Sequence, residues 1–543
     1  MDGRRTNLPG LALFLLALVA VIGAIELAKG GFYIGKHEGD TIHLAELVLR
    51  MADGQLPHRD FMTPIGVLAI APMSLFVALG QGFGHAILWS QILVALVLLP
   101  ATLWVAASRL RGIWPWVYGG FVMILCLALV HGEANMAVSI SMHYNRWAWA
   151  IVYLMVPLVM IAPAREHPLP DGLILGLGAA VLLLVKVTYG AVFPALLIAL
   201  VAPRWWRTLA VATVAALAVA ALLTLVAGPD FWLAYLGDLR SVASTDIRPN
   251  PGEPLSSVLA SPQSIGANLA LIAAVIFLRQ SGRMTEGMVL LFLMPGFFYI
   301  TYQNYGNDPQ WLWLLAILVA ALRPAVGTTN GRGWDMHRAL GYVGVLALAF
   351  GLGSALNLAY SPLRHLAIDT TKMVPLLSGL PAHHDVYALE DRLYGVNTNM
   401  AADLPGSPFA AYRPRADRKD IIAFGGQDWG NCEMSGGMIA YFEVVAKDLA
   451  EAGYAGKSIG AMDLFSGFWM FGDVKPVTGA APWNYGVASG LANADYVVLP
   501  LCPFATQIES GLLKSMTEGG WTLDVVRKTP VYWLLAVRSP STP

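Results

Sequence analysis

The chain has 543 residues, of which 57% are hydrophobic and only 13% carry a charged side chain. This composition is far from that of an ordinary soluble domain and predicts that most of the chain has lipid as its solvent. A formal net charge of -1 excludes the basic surface that a nucleic-acid-binding protein needs. We therefore expect an integral membrane protein that contacts the lipid bilayer and has no nucleic-acid partner.

The N-terminus carries Arg4 and Arg5 before an apolar run from Leu11 to about Leu27, which is the charge arrangement of a signal peptide. No small-residue cleavage site follows convincingly, and many more apolar segments come later. We interpret this run as the first membrane span, with its basic end in the cytoplasm. Further runs of spanning length follow at about 86–107, 114–131, 147–163, 170–186, 188–202, 208–227, 264–279, 285–303, 309–323 and 339–357.

An additional apolar stretch, Pro64 to Leu79, lies between the first two spans. If it crossed the membrane, Arg109 and Arg111 would lie outside and every later basic loop would be inverted. The positive-inside rule therefore predicts that this stretch is re-entrant or interfacial. The predicted fold is mainly α, a polytopic transmembrane helical bundle of about eleven spans plus this helix, over residues 1–357. Loops 30–63, 132–146, 228–263 and 304–308 then face outward, together with everything after about Asn357.

The remaining residues, 358–543, predict an exported, soluble α/β domain. A helix-like stretch from Met438 to Ala452 lies among short β-like runs. The clearest of these runs are Asp420–Phe424, Tyr496–Pro500 and Val531–Val537. The domain has no glycine-rich nucleotide loop and no nucleophile elbow, and Ala455–Ser458 predicts a turn before a strand. Cys432 and Cys502 are either a disulfide or two unrelated buried thiols.

The first outward loop is the richest in ionisable residues. Glu38 and Asp40 are separated by one glycine, and in an extended backbone they can converge on one substrate atom or one divalent cation. After them Leu44, Leu47, Val48 and Met51 recur at helical spacing. This spacing predicts an amphipathic helix along the bilayer surface. A solvated charged loop is the alternative interpretation.

The order of these features resembles the polyprenyl-phosphate-sugar-dependent glycosyltransferases of the C-type superfold (GT-C). The features are the acidic motif after the first span, the helix that ends in Gly54–Phe61, and the Pro64–Gly66 segment that opens an apolar stretch. Family members commonly carry an Asp-Glu pair here, followed by a Pro-Tyr-Arg-Asp-Phe type segment. In this chain His37 takes the first acidic position, Glu38 matches the second, and Asp40 is an additional carboxylate. The resemblance implies catalytic roles for Glu38 and Asp40 and substrate-binding roles for His37, His58, Arg59 and Asp60.

The resemblance leaves open which of the two carboxylates is the base and whether a divalent metal ion is bound. No other cofactor is expected. The implied location is the bacterial inner (plasma) membrane, with the N-terminus cytoplasmic and the C-terminal domain periplasmic.

Three further sites fit this interpretation. Arg146 follows Tyr144 and Asn145 at a membrane boundary, where its charge suits a lipid-linked phosphate, although such arginines also serve as membrane anchors. Lys186 interrupts an apolar stretch and could pair with the donor phosphate, or simply extend to the interface. Asp308 lies in a polar turn between two spans and either lines the site or is only part of the turn.

The implied reaction is transfer of a hexosyl or pentosyl group from a polyprenyl monophosphate carrier to an acceptor glycan, lipid or protein. Glu38 or Asp40 would take the proton of the acceptor hydroxyl, and Lys186 and Arg146 would stabilise the departing phosphate, with inversion at the anomeric carbon. A transporter or flippase is the main alternative, since it also needs many spans and polar residues at membrane depth. A third interpretation is a membrane anchor without catalytic activity.

Overall fold

The computed structural model describes residues 7–131, 135–163, 165–193, 206–245, 254–304, 309–404, 406–412, 422–488 and 490–538. Up to residue 367 the chain is almost entirely helical. The helices of this part are α1 (Leu8–Leu27), α2 (Glu38–Ala52), α3 (Val67–Ala78), α4 (Phe83–Arg109), α5 (Trp114–Leu127), α6 (His143–Met160), α7 (Pro168–Val185), α8 (Trp206–Ala227), α9 (Asp230–Ala243), α10 (Leu255–Ala260), α11 (Pro262–Gln280), α12 (Met284–Gln303), α13 (Trp311–Ala321) and α14 (Met336–Ala367).

Seven of the described helices are long and apolar enough to cross a bilayer, namely α1, α4, α7, α8, α11, α12 and α14. The protein is therefore an integral membrane protein with a mainly helical fold, as the composition predicts. Of the remaining helices, α3, α5 and α13 are apolar but shorter. Helix α6 is buried along almost its whole length and lies in the centre of the bundle. The predicted span at 188–202 falls largely outside the described residues.

One end of the bundle is covered by the C-terminal region, and we call it the domain end. Asp385 of that region accepts hydrogen bonds from the backbone N–H groups of Gly84 and His85, at 3.0 and 2.8 Å, and so caps the first turn of α4. The start of α3 lies at this end too, because Met62, just before it, donates to the backbone carbonyl of Ala480 in the C-terminal region at 3.4 Å. The N–H of Gly66 donates to the carbonyl of Val185 at 3.3 Å, so the C-terminal end of α7 also lies here. Helix α3 thus begins and is followed by α4 at the same end. This geometry favours a re-entrant or interfacial helix, and the membrane placement of α3 stays a prediction.

The basic loops that the sequence assigns to the cytoplasm lie at the opposite end. Arg109, at the end of α4, donates a 2.5 Å hydrogen bond to Asp171 in the first turn of α7. Arg323, after α13, donates to the backbone carbonyl of His337 in α14 at 2.7 Å. Arg109 and Arg323 therefore lie at the end of the bundle away from the C-terminal region, and the assignment of the loops to the two sides of the membrane stays a prediction.

Two segments differ from the prediction. Residues 228–263, predicted as a long loop, contain helices α9 and α10 in their described part. Helix α14 continues past Asn357 to Ala367, where Lys29 donates hydrogen bonds to the carbonyls of Leu366 and Ile368, at 2.8 and 2.5 Å. Apolar residues end earlier than the helix does, so hydropathy alone places its end too early.

Short strands and helices make up the C-terminal region. The helices are α15 (Glu390–Tyr394), α16 (Met438–Glu451) and α17 (Thr506–Glu518). The strands are β1 (Phe32–Tyr33), β2 (Met373–Pro375), β3 (Val386–Leu389), β4 (Asn397–Met400), β5 (Ile422–Phe424), β6 (Gln427–Trp429), β7 (Cys432–Gly436), β8 (Ile459–Ala461), β9 (Tyr496–Pro500), β10 (Thr522–Lys528) and β11 (Tyr532–Arg538). The predicted runs at 496–500 and 531–537 correspond to β9 and β11, and the predicted helix corresponds to α16.

The largest sheet has the order β10-β11-β9-β8, with β8 and β9 parallel and the other pairs antiparallel. A second sheet has the order β1-β3-β2. In it β1, which lies in the first loop, pairs with β3 of the C-terminal region. The structure also joins Cys432 to Cys502 as a disulfide. The first loop and the C-terminal region therefore share one hydrogen-bonded sheet.

Helix α2 forms where the leucine spacing predicts it, but it does not lie on an open bilayer surface. Its side chains from Thr41 to Arg50 are all buried. On one side Ser74 of α3 donates to the carbonyl of Val48 at 3.1 Å, and on the other the ring of Trp483 lies 5.3 Å from that of His43. The C-terminal region thus covers the polar face that the sequence assigns to water.

Candidate functional site

The candidate site is built around the first turn of α2. His37 precedes the helix in a left-handed conformation with φ of +68°, which is uncommon for a residue other than glycine. Glu38 and Asp40 then occupy the first turn, where the positive end of the helix dipole stabilises negative charge. Because this segment is helical, side chains two residues apart do not face each other. The extended backbone that would let Glu38 and Asp40 converge is therefore not formed.

Asp40 faces the loop that leads into α6. Its Oδ2 atom accepts a 2.7 Å hydrogen bond from the hydroxyl of Ser141. In the same loop the hydroxyl of Ser139 lies 3.0 Å from Nδ1 of His37. Asp40 and His37 are both half-buried, so a small molecule that reached this end could contact them.

Glu38 faces the C-terminal region instead. Its carboxylate accepts two hydrogen bonds from the guanidinium of Arg392 in α15, one of them from Nη2 to Oε2 at 2.7 Å. Such a two-point pair fixes both side chains and occupies both carboxylate oxygens. Glu38 therefore joins α2 to the C-terminal region, and Asp40 is the better placed of the two to act on a substrate.

Lys186 directly follows α7 at the domain end. Its Nζ atom donates to Oδ1 of Asn145 at 2.8 Å and to Oδ1 of Asn304 at 2.5 Å. The rings of Tyr144 and Tyr189 lie 5.3 and 5.8 Å from this nitrogen. Two amide oxygens and two aromatic faces thus hold a half-buried ammonium group in place. Ser141, which binds Asp40, and Asn145, which binds Lys186, are only four residues apart, so one short segment joins the two groups.

Positive charge is concentrated around these groups. The pKa of His131, which lies in the loop after α5, is lowered to about 3. Burial is the largest cause, because it disfavours the charged imidazolium. The further causes are four neighbouring basic side chains, those of His37, Arg146, Lys36 and Lys186. The His131 and His37 rings lie 5.1 Å apart. A neutral imidazole among cationic groups is a favourable environment for an anionic ligand such as a phosphate.

No protein-family model, curated protein or solved structure matches this chain. Among the described residues, no group of three or more histidine, cysteine, aspartate or glutamate side chains could hold a metal ion. With Glu38 bound to Arg392 and Asp40 to Ser141, the two carboxylates face different partners and do not converge on one cation.

Arg146 lies close to this cluster but serves the fold. Its side chain is fully buried, and its guanidinium donates to the backbone carbonyls of Ala128, at 2.6 Å, and Val130. These carbonyls follow the last residue of α5, where backbone acceptors have no partner within the helix. Arg146 thus fixes the loop after α5. It adds positive charge near the site, but its hydrogen-bonding groups do not face an open space.

His58, Arg59 and Asp60 lie at the other end of α2, where Arg50 donates to the backbone carbonyl of Asp60 at 3.1 Å. Arg50 is about 15 Å along the helix from Asp40 at the usual rise per residue. The three residues of the motif are each held within the fold. His58 lies 2.9 Å from Asp238 of α9, Arg59 donates to the carbonyl of Ala227 at 2.9 Å, and Asp60 accepts from the backbone of Leu56 at 2.6 Å. The structure does not bring this motif to the cluster of Asp40 and Lys186. Asp308, the last of the predicted site residues, lies outside the described residues.

Three side chains of the site could not be identified from the sequence motifs. Arg392 is 354 residues away from Glu38 in the chain, so only the fold reveals the pair. Ser141 and Asn304 lie in loops that the sequence singles out for other residues, Ser141 near Tyr144 and Asn304 near Asp308. The sequence therefore indicates these two loops but does not identify Ser141 and Asn304 as the residues that bind Asp40 and Lys186.

Proposed function

We propose that this protein is a membrane glycosyltransferase. It would move a hexosyl or pentosyl group from a polyprenyl-phosphate carrier to the hydroxyl of an acceptor glycan, lipid or protein. The observation that carries the proposal is the single segment, residues 139–145, that binds Asp40 at one point and Lys186 at another. A carboxylate and an ammonium group on one half-buried surface suit the two partners of this reaction, a neutral nucleophile and an anionic leaving group.

Asp40 is the proposed general base. It would accept the proton of the acceptor hydroxyl as that oxygen attacks the anomeric carbon, and a single displacement inverts this carbon. Ser141 donates to Oδ2 of Asp40 and so orients the carboxylate. Glu38 would have a positioning role, since Arg392 occupies its carboxylate.

Lys186 is the proposed phosphate-binding residue. Its positive charge, held by Asn145 and Asn304, would stabilise the charge that grows on the lipid phosphate as the sugar leaves. A group fixed in advance needs little reorganisation during the reaction, which is the main source of electrostatic catalysis. Positive charge from Lys36 and Arg146 would add to this field over a longer distance.

We also propose a complete topology for the chain. If α5, α6, α13 and segment 188–202 cross as well as the seven longer helices, the chain has about eleven spans. An odd number exports the C-terminal region, which would be periplasmic in a bacterial inner membrane with a cytoplasmic N-terminus. The disulfide between Cys432 and Cys502 supports export, because disulfides persist in oxidising compartments.

The test is sugar transfer from radiolabelled polyprenyl-phosphate sugars by the purified full-length protein in detergent. We expect transfer by the wild type and a loss of about 100-fold or more in Asp40→Asn, as is usual when a general base is removed. Glu38→Gln is the matched control, since it changes a neighbouring carboxylate in the same helical turn. We expect it to retain much more activity than Asp40→Asn.

Two results would contradict the proposal. If Glu38→Gln abolishes transfer and Asp40→Asn does not, the assignment of the base is wrong. If the wild type transfers no sugar from any donor tested but moves a lipid-linked solute across liposome membranes, the protein is a transporter or flippase.

A further inference from the structure

The C-terminal region contains a second pair of carboxyl groups, remote from the candidate site in sequence. Asp463 follows β8, and Glu509 lies in the first turn of α17. Both are fully enclosed, with 2% and 0% of their surface exposed. Ionised side chains are rarely buried to this extent unless a cation accompanies them.

The two carboxyl groups differ in their hydrogen bonds. Asp463 accepts from the backbone N–H groups of Leu464, Phe504 and Ala505, at 2.6, 2.9 and 3.2 Å. Neither carboxylate oxygen of Glu509 has a hydrogen-bond partner in the described part of the chain. Burying an unpartnered ionised carboxylate is so unfavourable that the group binds a proton instead.

The groups that act on this pair are acidic or neutral. They are Glu433 from β7, Tyr441 from α16 and, through Tyr441, Tyr532 from β11. Arg527 lies nearby in β10, but it is bound to Asp448 at 2.7 and 3.0 Å. Burial, followed by repulsion from Asp463, raises the pKa of Glu509 to about 9. Burial also raises the pKa of Asp463 to about 7, against the effect of its three backbone donors.

A chain of aromatic contacts connects this pair with the first turn of α2. Asp463 holds the N–H of Phe504, whose ring lies 5.9 Å from that of Phe465. Phe465 in turn packs on the backbone of Gly39, where an added Cβ would lie 2.8 Å from its ring. Gly39 stands between Glu38 and Asp40. Three contacts therefore connect Asp463 with Gly39, the residue that precedes the proposed base.

We propose that Asp463 and Glu509 form a proton-binding pair that keeps the C-terminal region packed on the first turn of α2 while at least one proton is bound. When both carboxyls ionise, their repulsion in a buried site weakens the packing of Phe504 and Phe465 and loosens the contact at Gly39. The contact, and with it the arrangement around Asp40, then depends on the pH outside the membrane. This inference concerns the contact itself and does not require the proposed transferase activity.

The direction of the pH dependence follows from the pKa values. Both carboxyls have higher pKa values in the folded protein than in an unfolded chain, where carboxyl pKa values are near 4. The stabilisation is therefore complete below about pH 4 and is lost as the pH rises, first through about 7 and then through about 9. The folded state binds more protons than the unfolded state across this window.

Hydrogen–deuterium exchange of the full-length protein in detergent tests the proposal. Peptides covering residues 36–46 and 460–470 would be followed at about pH 6 and about pH 9, with the intrinsic pH dependence of exchange removed. For the wild type we expect at least about tenfold lower protection at the higher pH, since one pKa unit corresponds to a tenfold change in an equilibrium constant. In Glu509→Gln the part of this loss that belongs to Glu509 should disappear, so that only the smaller part near pH 7, which belongs to Asp463, remains.

Glu518→Gln is the matched control, because Glu518 lies in the same helix with its side chain 67% exposed. It should keep the wild-type pH dependence. If Glu509→Gln does not fold, Asp463→Asn decides the matter and should lose the component near pH 7. Equal protection of the wild type at both pH values would overturn the proposal, and so would a wild-type pH dependence retained by the folded variant.

Discussion

Both halves of α2 carry charged residues, but these residues differ in burial and in hydrogen-bond partners. In the first turn Asp40 is half-buried and hydrogen-bonds to a neutral hydroxyl, that of Ser141. Two turns later Glu46 and Arg50 are each only 2% exposed and lie 3.6 Å apart. Arg50 also donates to the carbonyl of Val477 in the C-terminal region at 3.1 Å. We infer that the first turn serves chemistry and the later turns hold the two parts of the protein together.

The largest effect on stability is expected from Arg50→Ala. This change leaves Glu46 as an uncompensated buried charge, and breaking a buried ion pair in this way costs about 3–5 kcal/mol. Thermal or denaturant unfolding in detergent measures the loss. Arg111→Ala, at an exposed position in the loop between α4 and α5, is the control and should change little. A loss below about 1 kcal/mol would contradict a structural role for this half of α2.

Lys186→Met should weaken donor binding by roughly tenfold to a hundredfold. The change removes a positive charge from a partly buried position. A hydrogen bond that involves a charged group contributes about 1.5–3 kcal/mol, and about 1.4 kcal/mol corresponds to a factor of ten in affinity. Direct binding of a polyprenyl phosphate to the purified protein measures the effect. Lys447→Met removes a lysine that is 77% exposed on α16 and should leave binding unchanged. Unchanged binding in Lys186→Met would exclude this lysine from the phosphate site.

Gly39→Ala should cost about 1–3 kcal/mol, the usual range for adding a methyl group to a packed contact. Its Cβ would approach Cζ of Phe465 to 2.8 Å and Cε of Met438 to 3.3 Å. Gly237→Ala is the matched control, because a Cβ at that position of α9 meets no atom within 4 Å. The control should be neutral or slightly stabilising, since alanine is the better helix former. Equal unfolding temperatures of the two variants would argue against close packing at Gly39.

The smallest effect is expected from Arg392→Ala. Its pair with Glu38 is geometrically good, but Arg392 is 45% exposed, and exposed ion pairs contribute only about 0.2–1 kcal/mol. A double-mutant cycle with Glu38→Gln isolates the interaction energy. A coupling energy near zero would mean that the pair does not join α2 to the C-terminal region.

Much of the bundle was predictable, because lipid-exposed helices must be long and apolar. The positions of most apolar helices, of β9 and β11 and of α16 follow from hydropathy and periodicity, whereas α9, α10 and the end of α14 do not. The burial of Glu46 and Arg50 does not follow from periodicity. A charged helix face covered by another part of the protein has the same local sequence as one that faces water.

The candidate site was predictable only in part. Asp40 and Lys186 stand out because ionisable groups beside membrane spans are costly without a task or a partner. Arg146 stands out for the same reason, yet its partners are the carbonyls after α5. Sequence cannot separate an arginine that binds a ligand from one that binds backbone, because the local pattern is identical. The pairing of Glu38 with Arg392 depends on a contact between segments that are distant in sequence, so it could not be predicted either.

The most direct test of the account compares Asp40→Asn with Glu46→Gln in one preparation, by sugar transfer and by thermal unfolding. We predict that Asp40→Asn loses transfer at a nearly unchanged unfolding temperature, because Asp40 is the proposed base and is only half-buried. Glu46→Gln should unfold at a lower temperature, because Arg50 loses its charged partner, and should retain transfer below that temperature. The opposite pattern, in which Asp40→Asn lowers stability and Glu46→Gln alone abolishes transfer, would contradict the division of α2 into a catalytic turn and a structural one.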